Sequence, residues 1–507
     1  MAVFGTINDF ATQMRLGYWR DGFDPFGLTR PHSFNMGTSS TGANSGLLIY
    51  DYDGWSFFER GLFEDSNGLT LGRRKFVDRV FQDLKSRFGI NSRQRRSTDS
   101  TDDVDFWFRD DSPFADKERA YCRTNNHLFG NTRFASDHAF VNDAEINVDA
   151  RWSNSSTADN NYVYQTFYHE ICHALGLGHP GNYNGTAQFG SNNRFSNDSW
   201  QMSIMSYFNQ VQNTNVAANR LANLITPSPA DIEVLRTYYG TNRAFLGDTI
   251  YGVGTSISEG TNFYLNRLSS FASTNAFTIH DDGGIDGVNF NNFSANQRID
   301  LTVPTSIGAN VRAGNVTSDV GGLTQNMTLA VGTVIENART GSGNDSITGN
   351  SAANRFNGGR GADIYKLLGG ADIMEFNFGG LGTLSGSNAM TLDKITDLAW
   401  IVDKIDLLTV SGAALGKPTS LERIQDNNSS RTVSELATAM FTGLTANGAR
   451  LCRATNASLS GISGARTYLA INDSTASYSS VNDLFIDVTG INVLPSIGPI
   501  TTSTLFA

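Results

Sequence analysis

The chain has 507 residues with a net charge of −11, 51 glycines and only 10 prolines, a length that allows several domains with large cores. This acidic, Gly-, Asn- and Asp-rich composition argues against a nucleic-acid partner and suits calcium binding. The three cysteines, Cys122, Cys172 and Cys452, are too few and too scattered for a disulfide framework, and no run approaches the roughly 18 apolar residues of a membrane span.

Residues 1–45 are polar, with Gly, Pro and Asn interrupting every apolar run, and are expected to form an irregular arm that packs on the next domain or is removed from it. Met1 to Leu16 lacks the basic region and apolar core of a Sec-type signal. Leu47 to Tyr52 reads as a strand. Phe76, Val77, Val80, Phe81, Leu84 and Phe88 lie on one helical stripe that Gly89 ends. Val104, Phe106 and Phe108 alternate as a half-buried strand, and Glu145 to Val148 is a further strand candidate.

The stretch His169-Glu170-Ile171-Cys172-His173-Ala174-Leu175-Gly176-Leu177-Gly178-His179 follows. On a helix, His169 and His173 project from one face, the spacing that two ligands of a tetrahedral zinc require. Glu170, beside the first ligand, can reach a metal-bound water without ligating the metal. Gly176 can adopt the left-handed conformation that ends a helix, letting His179 return as a third ligand. Three protein ligands leave one position open, as in catalytic zinc sites. A bare HExxH arises by chance in long chains; the longer pattern and Ser203-Ile204-Met205-Ser206-Tyr207 downstream make chance a poor account. Cys172 is rotated away from the histidine face and reads as a packed thiol.

HExxHxxGxxH followed by a methionine segment resembles the metzincin metalloproteases. Pro180-Gly181 and the Ser-Ile-Met-Ser-Tyr turn resemble the serralysin branch. The resemblance implies zinc on His169, His173 and His179, with Glu170 as general base and Met205 beneath the metal. It makes Tyr207 an additional, displaceable ligand and catalytic group. It implies that the strand just before the zinc helix is the sheet edge that pairs with substrate, and that the N-terminal region includes a short inhibitory propeptide. Residues 1–45 hold no cysteine, which excludes a cysteine-switch latch there. Cys172 departs from the small residue usual at that position.

Ser228 and Pro229 start a helix that runs to Tyr239 and ends at Gly240, so a catalytic domain is expected over 46–245. Beyond it, residues 340–375 repeat with period nine, in registers beginning at Thr340, Gly349, Gly358 and Leu367. Asp345, Asn354, Asp363 and Asp372 occupy the sixth position, and Ile347, Phe356, Tyr365 and Met374 the eighth. In this pattern a Gly-rich half makes a calcium-binding turn and the apolar residue faces the inside of a parallel β-roll. Two nonapeptides make one coil, so Asp345 is expected to stack on Asp363 and Asn354 on Asp372, the second row being weaker for want of a charge. Asp281, Asp286 and Glu336 lie in segments resembling the start of a serralysin β-roll and are further calcium candidates. Asp393 to Asp397 and Asp403 to Leu407 resemble the strands that follow such repeats.

The expected fold is an α+β metzincin catalytic domain, then an all-β parallel β-roll over 246–380, then a β-rich C-terminal domain over 381–507. The expected function is secreted, zinc-dependent endopeptidase activity on proteins or peptides, with Ca²⁺ stiffening the roll. By resemblance, export uses a C-terminal signal and a type I secretion apparatus. The alternative is a calcium-stiffened surface or adhesion protein with a protease-like domain of little activity, although no ligand histidine or glutamate has been lost. Substrate preference, biological target and oligomeric state are not legible.

Overall fold

A computed structural model of the protein describes residues 2–18, 33–34, 46–54, 68–111, 120–124, 140–141, 143–216, 218–240, 244–306, 317–378, 392–409, 411–428, 431–455, 464–475, 478–479 and 483–507. The rest of the N-terminal arm and the remaining connections lie outside the described residues.

The first element corrects the expectation of an irregular arm. Helix α1 (Ile7–Thr12) opens with a reciprocal cap, the Thr6 hydroxyl accepting from the Asp9 amide and the Asp9 carboxylate accepting from the Thr6 amide. It widens into a π-helical turn over Gln13–Gly17. Ile7, Phe10, Ala11 and Met14 are all buried, a helical stripe that the surrounding polar residues obscured in the sequence.

A five-stranded sheet forms the frame of the region that follows. Its spatial order is β2 (Asn91–Gln94), β1 (Leu47–Asp51), β3 (Phe106–Arg109), β5 (Ala144–Val148) and β4 (Ala120–Thr124). All pairs are parallel except β5 with β4. The candidate strand before the zinc motif is therefore interior, and the antiparallel β4 is the edge, a second correction. Helix α2 (Leu71–Phe88), closed by Gly89 at φ 65°, packs on one face through Phe81, which stacks on Tyr50 at 4.5 Å. Helix α3 (Tyr162–Ala174) packs beside it, with Phe167 near Phe76 and Phe108. Strand β3 is buried on both faces, not half-buried, because Trp107 joins Ile49 and Val104 in a small cluster on the opposite side.

Helix α4 (Pro229–Tyr239) starts as expected, with Pro229 in its first turn, and ends at Gly240. From Ile250 onward short strands wind alternately into two sheets. One runs Lys404–Leu408, Ile373–Asn377, Arg355–Asn357, Asn337–Arg339, Gly287–Asn289 and Ile250–Gly252, all parallel. The other starts at Arg298–Asp300, Ser346–Thr348, Ile364–Lys366 and Lys394–Ile395. Ile347, Phe356, Tyr365 and Met374 fill the space between the sheets. The second sheet runs on without a break into Leu484–Asp487 and the C-terminal strands. Asn223–Leu224, ahead of α4, pairs with Asn275–Ala276 beyond it. The C-terminal region also carries a helix absent from the sequence reading, Val433–Phe441, capped by Thr432 and Glu435 and packed through Leu436 and Met440. Among the described residues no helix is long and apolar enough to cross a membrane.

Candidate metal centre

Helix α3 carries the first two histidines. Asn161 caps it, accepting from the Tyr164 amide at 3.1 Å, and it ends at Ala174. Gly176 then takes φ 96°, and the Leu177 amide returns to the Cys172 carbonyl at 2.9 Å. This reversal brings His179 back over the helix. His173 Nε2 lies 3.1 Å from His179 Nε2, which lies 3.3 Å from His169 Nε2. Tetrahedral zinc with metal–nitrogen bonds of about 2.0–2.1 Å sets its ligand nitrogens about 3.3 Å apart. The cluster fits such an ion in both donor type and spacing.

The other ring nitrogens decide the tautomer. His169 Nδ1 lies 2.9 Å from Ile204 O and His173 Nδ1 2.7 Å from Leu177 O. A carbonyl only accepts, so both Nδ1 atoms carry the proton and both Nε2 lone pairs are left for a metal. Burial keeps the rings neutral, lowering His169 to about 4 and His173, with His169 as an added cause, to about 3. His179 Nδ1 makes no close hydrogen bond, although the Tyr183 backbone faces it. Aromatic rings surround His179 instead: Tyr207 at 4.6 Å, Tyr18 at 5.1 Å and Tyr183 at 5.3 Å.

Glu170 is buried, and burial pushes its carboxyl up to about 8. It faces a cleft of about 770 Å³ whose wall includes His169, His173, Tyr207, Tyr18 and the edge strand β4 with Cys122. Trp152, Tyr162 and Trp200 stack in sequence along that wall, at 6.3 and 5.8 Å. Met205 is fully buried in its turn and its amide donates to Ser203 Oγ at 3.0 Å. The Tyr207 hydroxyl accepts from the Gly185 amide at 3.2 Å. Cys172 is buried in the core away from the cleft, and all three cysteines are unpaired.

The repeat residues fall in stacked turns. The Asp345 amide donates to Asp363 Oδ1 at 2.9 Å and the Asn354 amide to Asp372 Oδ1 at 2.8 Å, each partner 18 residues on. Asp345 and Asp363 each keep a buried Oδ2 with no hydrogen-bond partner, which suits a hard cation. Asn354 differs: its Oδ1 accepts from the Asn350 amide and its Nδ2 donates to Glu336 O. Both ends of its side-chain amide therefore hold the turn. Asp281, Asp286 and Glu336 gather in one cluster, with Tyr251 donating to Asp281 Oδ2 at 2.7 Å and the Asp286 amide to Glu336 Oε2 at 2.7 Å.

Sequence reasoning missed several residues. Asp393 and Asp403 extend the two rows, accepting from the Asp363 and Asp372 amides, but at separations of 30 and 31 that break the period. Tyr18, Asp198 and Asp231 have no motif; Asp198 accepts from Ser206 Oγ at 2.7 Å and from the Tyr183 hydroxyl beside the cluster.

Residues 241–425 match the family model for the peptidase M10 serralysin C-terminal region, and residues 123–232 match the metallo-peptidase family M12B reprolysin-like model. The likeness is to the serralysins. Metalloprotease AprA of Pseudomonas entomophila (strain L48) is 37% identical over 278 residues, 52% of this chain and 53% of that protein. Serralysin of Photorhabdus luminescens is 36% identical over 208 residues, 40% of this chain and 39% of that protein. Serralysin A of Dickeya chrysanthemi is 39% identical over 185 residues, 36% of this chain and 35% of that protein. This serralysin-like chain thus spans about half the length, or less, of these relatives.

Proposed function

We propose that the chain is a secreted, zinc-dependent endopeptidase, with residues 46–245 as the catalytic part and 246–380 as a calcium-binding roll. The observation that carries the reading is the convergence of three neutral imidazoles beside the Glu170 carboxylate, at the wall of a cleft. His169, His173 and His179 would hold zinc, which would supply Lewis acidity at the scissile carbonyl and lower the pKa of a bound water to about 7. With the zinc charge beside it offsetting the burial that favours its protonated form, Glu170 would take the proton from the attacking water and pass it to the leaving amine. The Tyr207 hydroxyl donates to the oxyanion as charge develops. β4, the sheet edge along the cleft, would offer backbone groups to an extended peptide, which fits unfolded or extended protein substrates.

Calcium on the Asp345, Asp363 and Asp393 row is part of the same proposal, supported by the unpartnered carboxylate oxygens at Asp345 and Asp363. So is export through a type I secretion apparatus, testable by deleting the residues after Val488 and following secretion. The adhesion-protein reading is less favoured, because an inactive remnant does not need to keep Glu170 beside the histidine cluster.

Glu170→Gln tests the mechanism. The variant is expected to bind zinc as the parent does while cleavage of an unfolded protein falls roughly 100- to 10,000-fold. Equal cleavage by the variant sinks the assignment of Glu170.

A further inference from the structure

The N-terminal segment Val3–Tyr18 touches the loop that carries His179 at nearly every turn. Val3 bridges to Phe195, and the Ser196 amide donates to Val3 O at 2.8 Å. Gly5 and Asn197 exchange two hydrogen bonds, at 2.8 and 2.9 Å. Gln13 Nε2 donates to Asn182 Oδ1 at 3.0 Å. The Gly178 amide donates to Met14 O at 2.9 Å, immediately before His179. Tyr18 then meets the His179 ring edge-on, at 5.1 Å and 89°.

Two details make this more than general packing. His169 and His173 each have a backbone carbonyl that orients the ring closely through Nδ1, whereas the Tyr183 backbone faces His179 Nδ1 without a close hydrogen bond. The rings packed around it therefore share in setting its orientation. In addition, Gly178 is in contact with Tyr18: a Cβ at Gly178 would lie 2.4 Å from Tyr18 Cδ1. Gly178 lies outside the left-handed region, so only the ring, not the backbone, demands glycine there.

We propose that Tyr18 is a positioning residue for the third metal ligand, and that Val3–Tyr18 acts as a strut for the loop that carries it. Met14 O sets the backbone ahead of His179, and the Tyr18 ring limits rotation of the imidazole so that Nε2 stays aimed at the other two. A ligand held in place loses less freedom on binding metal, so the strut raises metal affinity. The inference rests on the zinc reading of the three histidines.

The test measures zinc affinity of the full chain by competition with a chromophoric chelator, and the visible absorption of the cobalt(II)-loaded protein. Tyr18→Ala is expected to lower zinc affinity roughly 10- to 100-fold and to change the cobalt spectrum, whereas Tyr18→Phe, which keeps the ring, behaves as the parent. Gly178→Ala, which displaces the ring without touching Tyr18, should repeat the loss and decides the matter where Tyr18→Ala does not fold. Parental affinity and spectrum in folded Tyr18→Ala, or in Gly178→Ala, overturn the proposal; so does a loss in Tyr18→Phe as large as in Tyr18→Ala. A parent chain that takes up no zinc in the same titration overturns the zinc reading instead.

Discussion

The Asp231 carboxylate accepts the Ile204 amide at 2.7 Å, joining the first turn of α4 to the residue whose carbonyl orients His169. Ser203 Oγ donates to Asp231 at 2.6 Å and the Ser228 amide at 2.8 Å, so one buried side chain caps a helix and closes the methionine turn. Asp231→Ala leaves three buried donors without an acceptor. It is expected to cost about 2–4 kcal/mol in urea unfolding and to weaken zinc binding as the Ile204 carbonyl shifts. A stability within about 0.5 kcal/mol of the parent would show that the turn holds itself.

A second network lies behind α3. Asp83 accepts from Arg87 Nε at 2.8 Å, from the Tyr168 hydroxyl at 2.8 Å and from Asn262 Nδ2 at 2.6 Å. Tyr168 precedes His169, and Asn262 belongs to the chain beyond Ile250, so the carboxylate ties α2, α3 and the segment leading into the roll. The Asp83 and Arg87 side chains are 2% and 0% exposed. Asp83→Ala strands a buried guanidinium and should destabilise by about 3–5 kcal/mol, as deletion of one partner of a buried pair does. Denaturant unfolding checks it, and a change under about 1 kcal/mol would mean that water reaches Arg87.

These networks also show where sequence reading stops. The zinc motif is legible because helix geometry ties spacing to direction, and the repeats because period nine puts one apolar residue inside each coil. Tyr18, Asp83 and, in its bonds to Ser203 and Ile204, Asp231 act across separations that no local pattern records: Asp83 meets Asn262 179 positions away. The edge strand was misjudged for a related reason. Ala144–Val148 and Ala120–Thr124 are adjacent in the sheet, but antiparallel return places the earlier strand outside, and sheet order is not written in strand order. Helix α1 was missed because its apolar stripe is short and the chain around it is polar.

Tyr207 separates scaffold from catalyst. Burial, the larger cause, pushes its phenol up to about 12, so the hydroxyl remains a donor throughout the working pH range. Its oxygen meets the Gly185 amide in this structure, and its ring packs on His179. Tyr207→Phe keeps that packing and removes the donor. The expected outcome is a kcat roughly ten- to a thousandfold lower with KM nearly unchanged. Steady-state rates on zinc-loaded protein decide it, and parental kcat would leave Tyr207 as scaffold.

The carboxylate rows should make stability depend on pH in opposite ways with and without calcium. Burial raises Asp372 to about 7, with the neighbouring Asp403 a lesser cause, and raises Asp281, Asp363 and Asp393 as well. An unfolded Asp titrates near about 3.9. Between those values the calcium-free folded chain holds protons that the unfolded chain has released. Its stability is therefore greatest below about pH 4 on account of these groups and falls as pH rises through about 7. Calcium needs the same carboxylates ionised, so it competes with the protons and binds more tightly as pH rises. With a chelator present, the melting temperature should be higher at pH 5.5 than at pH 8, by about 1–2 °C for each kcal/mol of difference in a chain of this length. With excess Ca²⁺ the order should reverse, the gain on adding calcium being larger at pH 8. Calorimetry in the four conditions checks both signs. A calcium-free protein that is more stable at pH 8 than at pH 5.5 would mean that these carboxylates are already ionised and solvated without the metal, and that calcium has no charge repulsion to relieve.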